Sequence, residues 1–129
     1  MKSIPCTPNI YIAIIDDDSS IRVSMSGLLR ADHFQPVAYL SVEAFLNDTN
    51  RPKFACLVFD IHLNGMSGLD LSKGLRAVKD TTPFVFTTAP DNPEMRTQAA
   101  ATDCADYFRK TTPGAKVLAA IRRAIQVRE

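Results

Sequence analysis

Five short apolar runs alternate along the chain with segments of helical periodicity, and this alternation constrains the fold more than any other feature. The runs carry almost no charge until they end, which is typical of strands that are covered on both faces. Because parallel strands need long crossover connections, the pattern predicts an α/β fold, with a parallel sheet between two layers of helices. The predicted strands are residues 10–15, 36–40, 54–59, 84–87 and 105–108.

The segments that follow these runs predict five helices. Asp18 or Ser19 is a suitable N-cap for the first helix, and Ser41 is one for the second. The fourth helix is rich in alanine and poor in large apolar residues, so it is the weakest of the set. The predicted helices are residues 19–31, a short helix after Ser41, and residues 67–78, 93–102 and 113–127. The residues expected to face inward are Ile21, Met25, Leu28, Leu29, Val42, Phe45, Leu46, Leu71, Leu75, Val78, Val117, Leu118, Ile121 and Ile125.

The chain of 129 residues has the length of one domain, and we expect residues 10–127 to form it after a flexible lead-in at residues 1–9. Its formal net charge of +1 gives no basic field, so we expect no direct binding of nucleic acid by this chain. No apolar stretch reaches the length of a membrane span, and the N-terminus lacks the apolar region of a signal peptide. We therefore expect a cytoplasmic protein without membrane contact, and no output domain after the last predicted helix.

The three cysteines, Cys6, Cys56 and Cys104, are far apart and form no zinc-binding pattern. We interpret them as reduced thiols of a cytoplasmic protein, and we expect Cys56 to lie in the core of the third strand.

Polar residues stand where the predicted strands end. Asp16, Asp17 and Asp18 follow the first strand, Asp60 follows the third, and Lys110 follows the fifth, while the fourth strand ends in a pair of threonines. In parallel sheets the carboxyl ends of the strands share one edge, and ligands bind there at the point where the strand order reverses. Two carboxylates about 4 Å apart repel each other by roughly 4 kcal/mol at an effective dielectric of 20, so such a group predicts a bound cation.

These residues also carry a resemblance to a known family. The motifs are the run from Ile14 to Asp18, the run from Phe59 to Gly68, and then Thr88 and Lys110, each after its own strand. In this ordered set the chain closely resembles the receiver domain of bacterial two-component response regulators, over about residues 9–127. It looks most like receivers that are joined to a helix-turn-helix output domain. The resemblance implies a flavodoxin-like three-layer sandwich whose five parallel strands run in the order 2-1-3-4-5.

The resemblance also implies roles for the acidic residues. Asp60 would be the phosphoacceptor, whose carboxylate attacks a phosphohistidine and becomes an acyl phosphate. Asp17 would bind Mg²⁺ directly and Asp16 through water, together with Asp60 and the backbone carbonyl of His62. Mn²⁺ is expected to substitute, and Mg²⁺ suits the site because it prefers oxygen ligands and keeps several waters. Asp18 is expected to act as a helix cap.

Three further residues receive roles in the same way. Lys110 would supply positive charge to the phosphate, and the hydroxyl of Thr88 would bond a phosphoryl oxygen. Tyr107 would be the aromatic switch that turns inward as that hydroxyl moves. The implied partners are a sensor histidine kinase or a phosphotransfer protein, and a second copy of the chain through the fourth helix, fifth strand and fifth helix. The implied module is not an enzyme beyond catalysing its own phosphorylation and dephosphorylation.

The chain departs from the family pattern at several positions. Asn64 and Thr111 stand where the family usually has proline, and a cis bond before Thr111 would cost about 3–4 kcal/mol, so we predict a trans Lys110–Thr111 bond. Pro90 stiffens the entry to the fourth helix, and Asp103 replaces a frequent glycine. Residues 90–103 are therefore the most divergent part of the chain.

Other readings remain open from the residues themselves. The acidic run can serve as solvated turn residues and a cap, Lys110 as a surface lysine, Thr88 as a helix cap, and Tyr107 as ordinary packing. A receiver-like binding module that is never phosphorylated is one alternative function. A phosphohydrolase of the haloacid dehalogenase type is another, because Asp16 and Asp18 form an Asp-x-Asp at the end of the first strand. A flavin carrier is disfavoured, since no Gly-rich phosphate loop follows that strand.

Overall fold

The computed structural model describes residues 9–63, 65–89 and 93–128. For residues 127 and 128 it describes the backbone only. Within these ranges, strands and helices alternate in the predicted order. The strands are β1 (Tyr11–Ile15), β2 (Gln35–Tyr39), β3 (Phe54–Asp60), β4 (Phe84–Thr88) and β5 (Asp106–Arg109). The helices are α1 (Ser19–Ala31), α2 (Val42–Asn47), α3 (Gly68–Ala77), α4 (Pro93–Ala100) and α5 (Gly114–Arg128).

The strands form one sheet in the order β2-β1-β3-β4-β5, and every pairing is parallel. The chain leaves β1 for β2 on one side and returns to β3 on the other, so the order reverses between β1 and β3. This arrangement confirms the predicted α/β class and the flavodoxin-like strand order. The carboxyl ends of β1 and β3 lie side by side, with Ile15 opposite Phe59.

The strands bury both faces, because alternate residues enter two separate hydrophobic clusters. One cluster joins one face of the sheet to α2, α3 and α4 through residues such as Phe45, Leu71 and Ala99. The other joins the opposite face to α1 and α5 through Leu29 and Ile121. The three-layer sandwich follows from this alternation, since a strand side chain reverses face at each residue.

The helix boundaries agree with the predicted caps. The Asp18 carboxylate accepts a hydrogen bond from the Ser20 N–H at 2.9 Å and caps α1. Ser41 caps α2 by accepting from the Ala44 N–H at 3.0 Å. Helix α3 begins one residue later than predicted, because Ser67 is its N-cap and forms a capping box with Asp70.

Two predictions of inward-facing residues were wrong. Val78 is 74% exposed and Leu46 is 45% exposed. Val78 is the C-cap of α3, and its backbone leaves the helical path at φ −97° and ψ 12°, so helical periodicity no longer applies to it. Leu46 lies in the last turn of a six-residue helix that buries only Val42 and Phe45. On α1, Ile21, Met25 and Leu28 are half-buried, and Leu29 is the apolar residue with no exposure.

Several other predictions can be compared directly. Cys56 has no exposed surface and lies in the core of β3, as expected. No cis peptide bond occurs in the described part of the chain, which confirms the trans Lys110–Thr111 bond. Residues 1–8 of the lead-in expected at residues 1–9, the loop residue Asn64 and the stiffening Pro90 lie outside the described residues. Among residues 9–63, 65–89 and 93–128, no helix has the length and apolar character needed to cross a membrane.

Candidate functional site

Three carboxylates meet at the edge where the strand order reverses. Asp16 follows β1 and is 2% exposed, and Asp60 ends β3 and is 5% exposed, whereas Asp17 is exposed to solvent. One carboxylate oxygen from each of the three lies within 4.8 Å of the others. Burying two carboxylates side by side is unfavourable without a cation, and one open side is what a partly hydrated metal requires.

Lys110 lies between the two buried carboxylates. Its Nζ atom is 2.8 Å from Asp60 Oδ2 and 3.0 Å from Asp16 Oδ2, with the lysine side chain 15% exposed. The backbone N–H of Lys110 donates to the Thr88 carbonyl at 2.8 Å, which fixes the lysine just beyond β5. The predicted convergence of Asp16, Asp60 and Lys110 is therefore present in the structure.

The carboxylates and the lysine shift each other's ionisation. Burial raises the pKa of Asp60, and the neighbouring Asp16 adds to the rise, while hydrogen bonds from Lys110 and the His62 N–H act in the opposite direction. Burial alone lowers the pKa of Lys110, but its hydrogen bonds to Asp60 and Asp16 outweigh burial and leave the pKa above the usual 10.5. The lysine is thus held as a cation between the two acids.

The loop after β3 turns around the Asp60 carboxylate. The His62 N–H donates to Asp60 Oδ1 at 2.8 Å, while the His62 side chain is exposed. The Ile61 N–H donates to the Thr87 carbonyl at 2.9 Å, which continues the pairing of β3 with β4. The structure therefore places the backbone of His62, and not its imidazole, beside Asp60.

Thr88 and Tyr107 lie on the strands that flank the site. Thr88 ends β4 and has no exposed surface. Tyr107 lies on β5, is half-buried and packs against the hydrophobic cluster beneath α2, α3 and α4. Its hydroxyl is buried and has no hydrogen-bond partner among the described residues, which is unfavourable for a phenol.

Sequence reasoning missed two residues that contact the loops of the site. Arg22 of α1 donates to the Asp16 carbonyl at 2.7 Å. Glu43 of α2 accepts a hydrogen bond from the Met66 N–H at 3.0 Å, in the loop after β3. Arg22 stands four residues after the Asp18 cap and therefore on the same helical face, but this spacing does not by itself predict a contact with the Asp16 carbonyl. No sequence signal pairs Glu43 with Met66, because they are 23 positions apart on different elements.

The sequence and the fold match known signalling proteins. The response regulator receiver domain pattern matches residues 12–122. The response regulator protein TodT of Pseudomonas putida is 31% identical over 116 residues, which are 90% of this chain and 51% of TodT. The transcriptional regulatory protein FixJ of Bradyrhizobium diazoefficiens is 27% identical over 119 residues, 92% of this chain and 58% of FixJ. The chain therefore spans little more than half the length of these relatives.

The fold of the chain also matches solved structures of response regulators. The crystal structure of FixJ-N matches with a TM-score of 0.83 at 26% identity and covers 93% of this chain and 96% of that one. The receiver domain of the Francisella response regulator 1452 matches with a TM-score of 0.85, covering 94% of this chain and all of its own, and at 18% identity it supports the fold alone. The chain thus belongs to the response regulator receiver domain family of two-component signalling proteins.

Proposed function

We propose that Asp60 is the phosphoacceptor of this receiver. The observation that carries the proposal is the buried Asp60 carboxylate, which has Lys110 Nζ on one oxygen at 2.8 Å and the His62 N–H on the other at 2.8 Å. In the proposed step a carboxylate oxygen of Asp60 attacks the phosphorus of a phosphohistidine. The new O–P bond forms as the P–N bond breaks, and the departing imidazole nitrogen keeps the electron pair of that bond and takes up a proton.

We propose that Asp16, Asp17 and Asp60 hold Mg²⁺, with the backbone carbonyl of His62 as a further oxygen ligand. Three carboxylates with one open side fit a small, hard cation that keeps part of its water, and Mn²⁺ satisfies the same donors. When bound, the ion neutralises negative charge on the carboxylates and on the transferring phosphoryl group.

Lys110 supplies the fixed positive charge of the reaction. Its hydrogen bond to Asp60 Oδ2 favours the ionised form of that carboxylate and opposes the effect of burial, and the ammonium group lies where it can contact the phosphoryl oxygens. Thr88 is the proposed hydroxyl donor to the phosphoryl group. Tyr107 is the proposed aromatic switch, and its unpartnered buried hydroxyl supports this role, because a side chain with an unfavourable contact is easily displaced.

The proposed output is a shift between an inactive and an active conformation. Moving such an equilibrium from 1:99 to 99:1 requires about 5.5 kcal/mol of differential binding. We propose a sensor histidine kinase or a phosphotransfer protein as the phosphodonor, and a second copy as a partner through α4, β5 and α5. We further propose that the module is cytoplasmic, catalyses only its own phosphorylation and dephosphorylation, and spans residues 10–127 as one unit.

A direct experiment is incubation with Mg²⁺ and acetyl phosphate, followed by measurement of the intact mass. We expect a gain of one phosphoryl group in the wild type and none in Asp60→Asn. No gain with a range of small donors and kinases would favour a binding module that is never phosphorylated.

A second experiment tests the hydrolase alternative. Turnover of a phosphate ester that survives Asp60→Asn and is lost in Asp16→Asn would favour the hydrolase. The hydrolase alternative is weakened because Asp18, the second acid of the Asp-x-Asp, accepts the hydrogen bond from the Ser20 N–H that caps α1.

A further inference from the structure

Helix α3 begins directly against the end of β3, and Gly68 is the residue at the contact. Gly68 is buried, and its N–H donates to the Ile61 carbonyl at 3.2 Å. A Cβ atom built on this residue would be 2.4 Å from the Asp60 carbonyl oxygen and 3.0 Å from Ile61 Cα and Phe59 Cδ2. Real Cβ atoms essentially never approach other atoms closer than 3.0 Å, so any side chain at position 68 would displace its neighbours.

The backbone conformation of Gly68 does not itself require a glycine. Of the glycines that the structure describes, only Gly65 has a positive φ, and Gly68 lies in α3, where alanine is the better helix former. Gly74 lies in the same helix, and a Cβ atom there would meet nothing within 4 Å. The requirement for glycine at position 68 is therefore one of space, and the end of β3 imposes it.

Neither α3 nor the Phe59 ring is free to move away from this contact. Beyond its first residue, α3 buries Leu71 and Leu75, which are 2% and 7% exposed. The Phe59 ring packs on the rings of Phe84 and Phe86, with centroid distances of 5.4 Å and 5.2 Å. Because packed interiors contain few voids, they transmit a displacement to their neighbours and do not absorb it.

The peptide group that follows Asp60 is held less firmly. The register of β3 with β1 ends at Phe59, whereas its register with β4 continues to Asp60. A side chain at position 68 would push the Asp60 carbonyl by about 0.6 Å, the difference between 2.4 Å and 3.0 Å. The carboxylate belongs to the same residue and would move with the carbonyl, away from the place where its Oδ2 atom is 2.8 Å from Lys110 Nζ.

We infer that Gly68 is a positioning residue for the phosphorylation site, because its lack of a side chain lets α3 begin against the Asp60 carbonyl while the Asp60 carboxylate stays beside Lys110 and the other metal-binding oxygens. This inference rests on the proposed roles of Asp60 and of the Mg²⁺ ligands. Metal–ligand distances tolerate only about 0.2 Å of variation, so a shift of about 0.6 Å matters. Mutation of residues that orient metal ligands typically lowers metal affinity about 10- to 100-fold.

A purely structural role for Gly68 makes a different prediction. In that case α3 moves away from β3 in Gly68→Ala and the protein loses stability, but the Asp60 carboxylate and the Mg²⁺ affinity do not change. Gly74→Ala is the matched control, because it makes the same change in the same helix at a position with open space. It should keep the Mg²⁺ affinity of the wild type and gain stability, since alanine favours the helix.

The experiment compares the wild type, Gly68→Ala and Gly74→Ala. Crystal structures without Mg²⁺ give the position of Asp60, and an NMR titration of the folded protein gives the Mg²⁺ dissociation constant. In Gly68→Ala we expect the carbonyl and carboxylate of Asp60 to move by about 0.6 Å and the dissociation constant to rise about tenfold. In Gly74→Ala we expect Asp60 to stay in place and the dissociation constant to remain within about twofold of the wild type.

A second background is available if Gly68→Ala alone does not fold. The same substitution is then combined with Gly74→Ala and with Lys79→Gly, which relieves a residue with φ +60°. Both additional substitutions are expected to stabilise the fold without contacting the site. The triple variant is compared with the protein that carries only these two substitutions.

The inference is overturned if α3 moves while Asp60 stays in place, or if Asp60 moves while the Mg²⁺ dissociation constant stays within about twofold of the wild type. It is also overturned if Gly68→Ala fails to fold in the stabilised background, because a positioning role requires the rest of the fold to remain. Failure of the proposed function has a different signature, because the wild type would then bind no Mg²⁺ or gain no phosphoryl group from acetyl phosphate. The crystal structures are read without metal or phosphoryl transfer, so they decide whether Gly68 positions Asp60 in either case.

Discussion

Replacement of Lys110 by methionine tests the charge balance of the site. The lysine Nζ is 2.8 Å from Asp60 Oδ2 and 3.0 Å from Asp16 Oδ2, and both acids are almost fully buried. Methionine has a similar length and fills the same space, but it carries no charge. Lys110→Met therefore leaves two adjacent buried carboxylates without the cation that separates them.

The size of the effect follows from these distances. At an effective dielectric of about 20, one contact at 2.8 Å corresponds to roughly 6 kcal/mol of Coulomb attraction, before the cost of burying the charges. Removing one partner of a buried ion pair destabilises proteins by about 3–5 kcal/mol. We expect the low end, about 3 kcal/mol, because the lysine side chain is 15% exposed and Asp17 keeps one side of the site open to water. This loss corresponds to a fall of roughly 10 °C in Tm.

The assay is urea unfolding followed by circular dichroism, which suits a chain without tryptophan. Lys116→Met is the matched control, because Lys116 is exposed on α5 and should change the free energy of unfolding by less than about 0.5 kcal/mol. Saturating Mg²⁺ should stabilise Lys110→Met more than the wild type, since the ion no longer competes with the lysine for the carboxylates. A loss below about 1 kcal/mol, or an equal response of both proteins to Mg²⁺, would refute the reasoning.

Three further predictions use other parts of the molecule. Lys79 follows the C-cap of α3 with φ +60°, so Lys79→Gly should raise the free energy of unfolding by about 1 kcal/mol in urea titrations, and a decrease would contradict this. Burial raises the pKa of the Cys56 thiol to about 12, so Cys56 should resist iodoacetamide in the native protein and react after unfolding; rapid native labelling of its peptide would count against the buried position. The pKa of Glu43 is lowered from 4.5, so the stability that its hydrogen bond provides is present above pH 4.5 and is lost as the pH falls through the folded value. An NMR pH titration of the Met66 amide shift should show a midpoint below 4.5. A midpoint at or above 4.5 would exclude the hydrogen bond between the Met66 N–H and the Glu43 carboxylate.

The fold was largely predictable because the apolar runs are continuous and the helices are amphipathic. Predicted strands and helices agree with the structure within one or two residues at their ends. The errors lie at helix ends, where Val78 and Leu46 continue an apolar pattern after the helix has ceased to bury it. Periodicity reports which face of a helix is apolar, but the last turn of a helix follows its caps and its neighbours.

The central residues of the candidate site were predictable for a topological reason. Asp16 and Lys110 each follow a strand and Asp60 ends one, and parallel strands bring their carboxyl ends to one edge. Glu43 and Arg22 were not predictable in the same way. Their contacts depend on the distance between a helix and a loop, and neither the 3.6-residue nor the 2-residue period encodes that distance.

The central claim, that Asp60 is the phosphoacceptor, is tested most directly by trapping the acyl phosphate. The protein is incubated with Mg²⁺ and acetyl phosphate and then treated with hydroxylamine, whose nitrogen attacks the acyl carbon and releases phosphate to leave a hydroxamate. Peptide mass spectrometry then locates the modified residue. We predict a hydroxamate at Asp60 that depends on Mg²⁺ and on the phosphodonor. A hydroxamate at Asp16 or Asp17, or none in a protein that gained a phosphoryl group, would contradict the account.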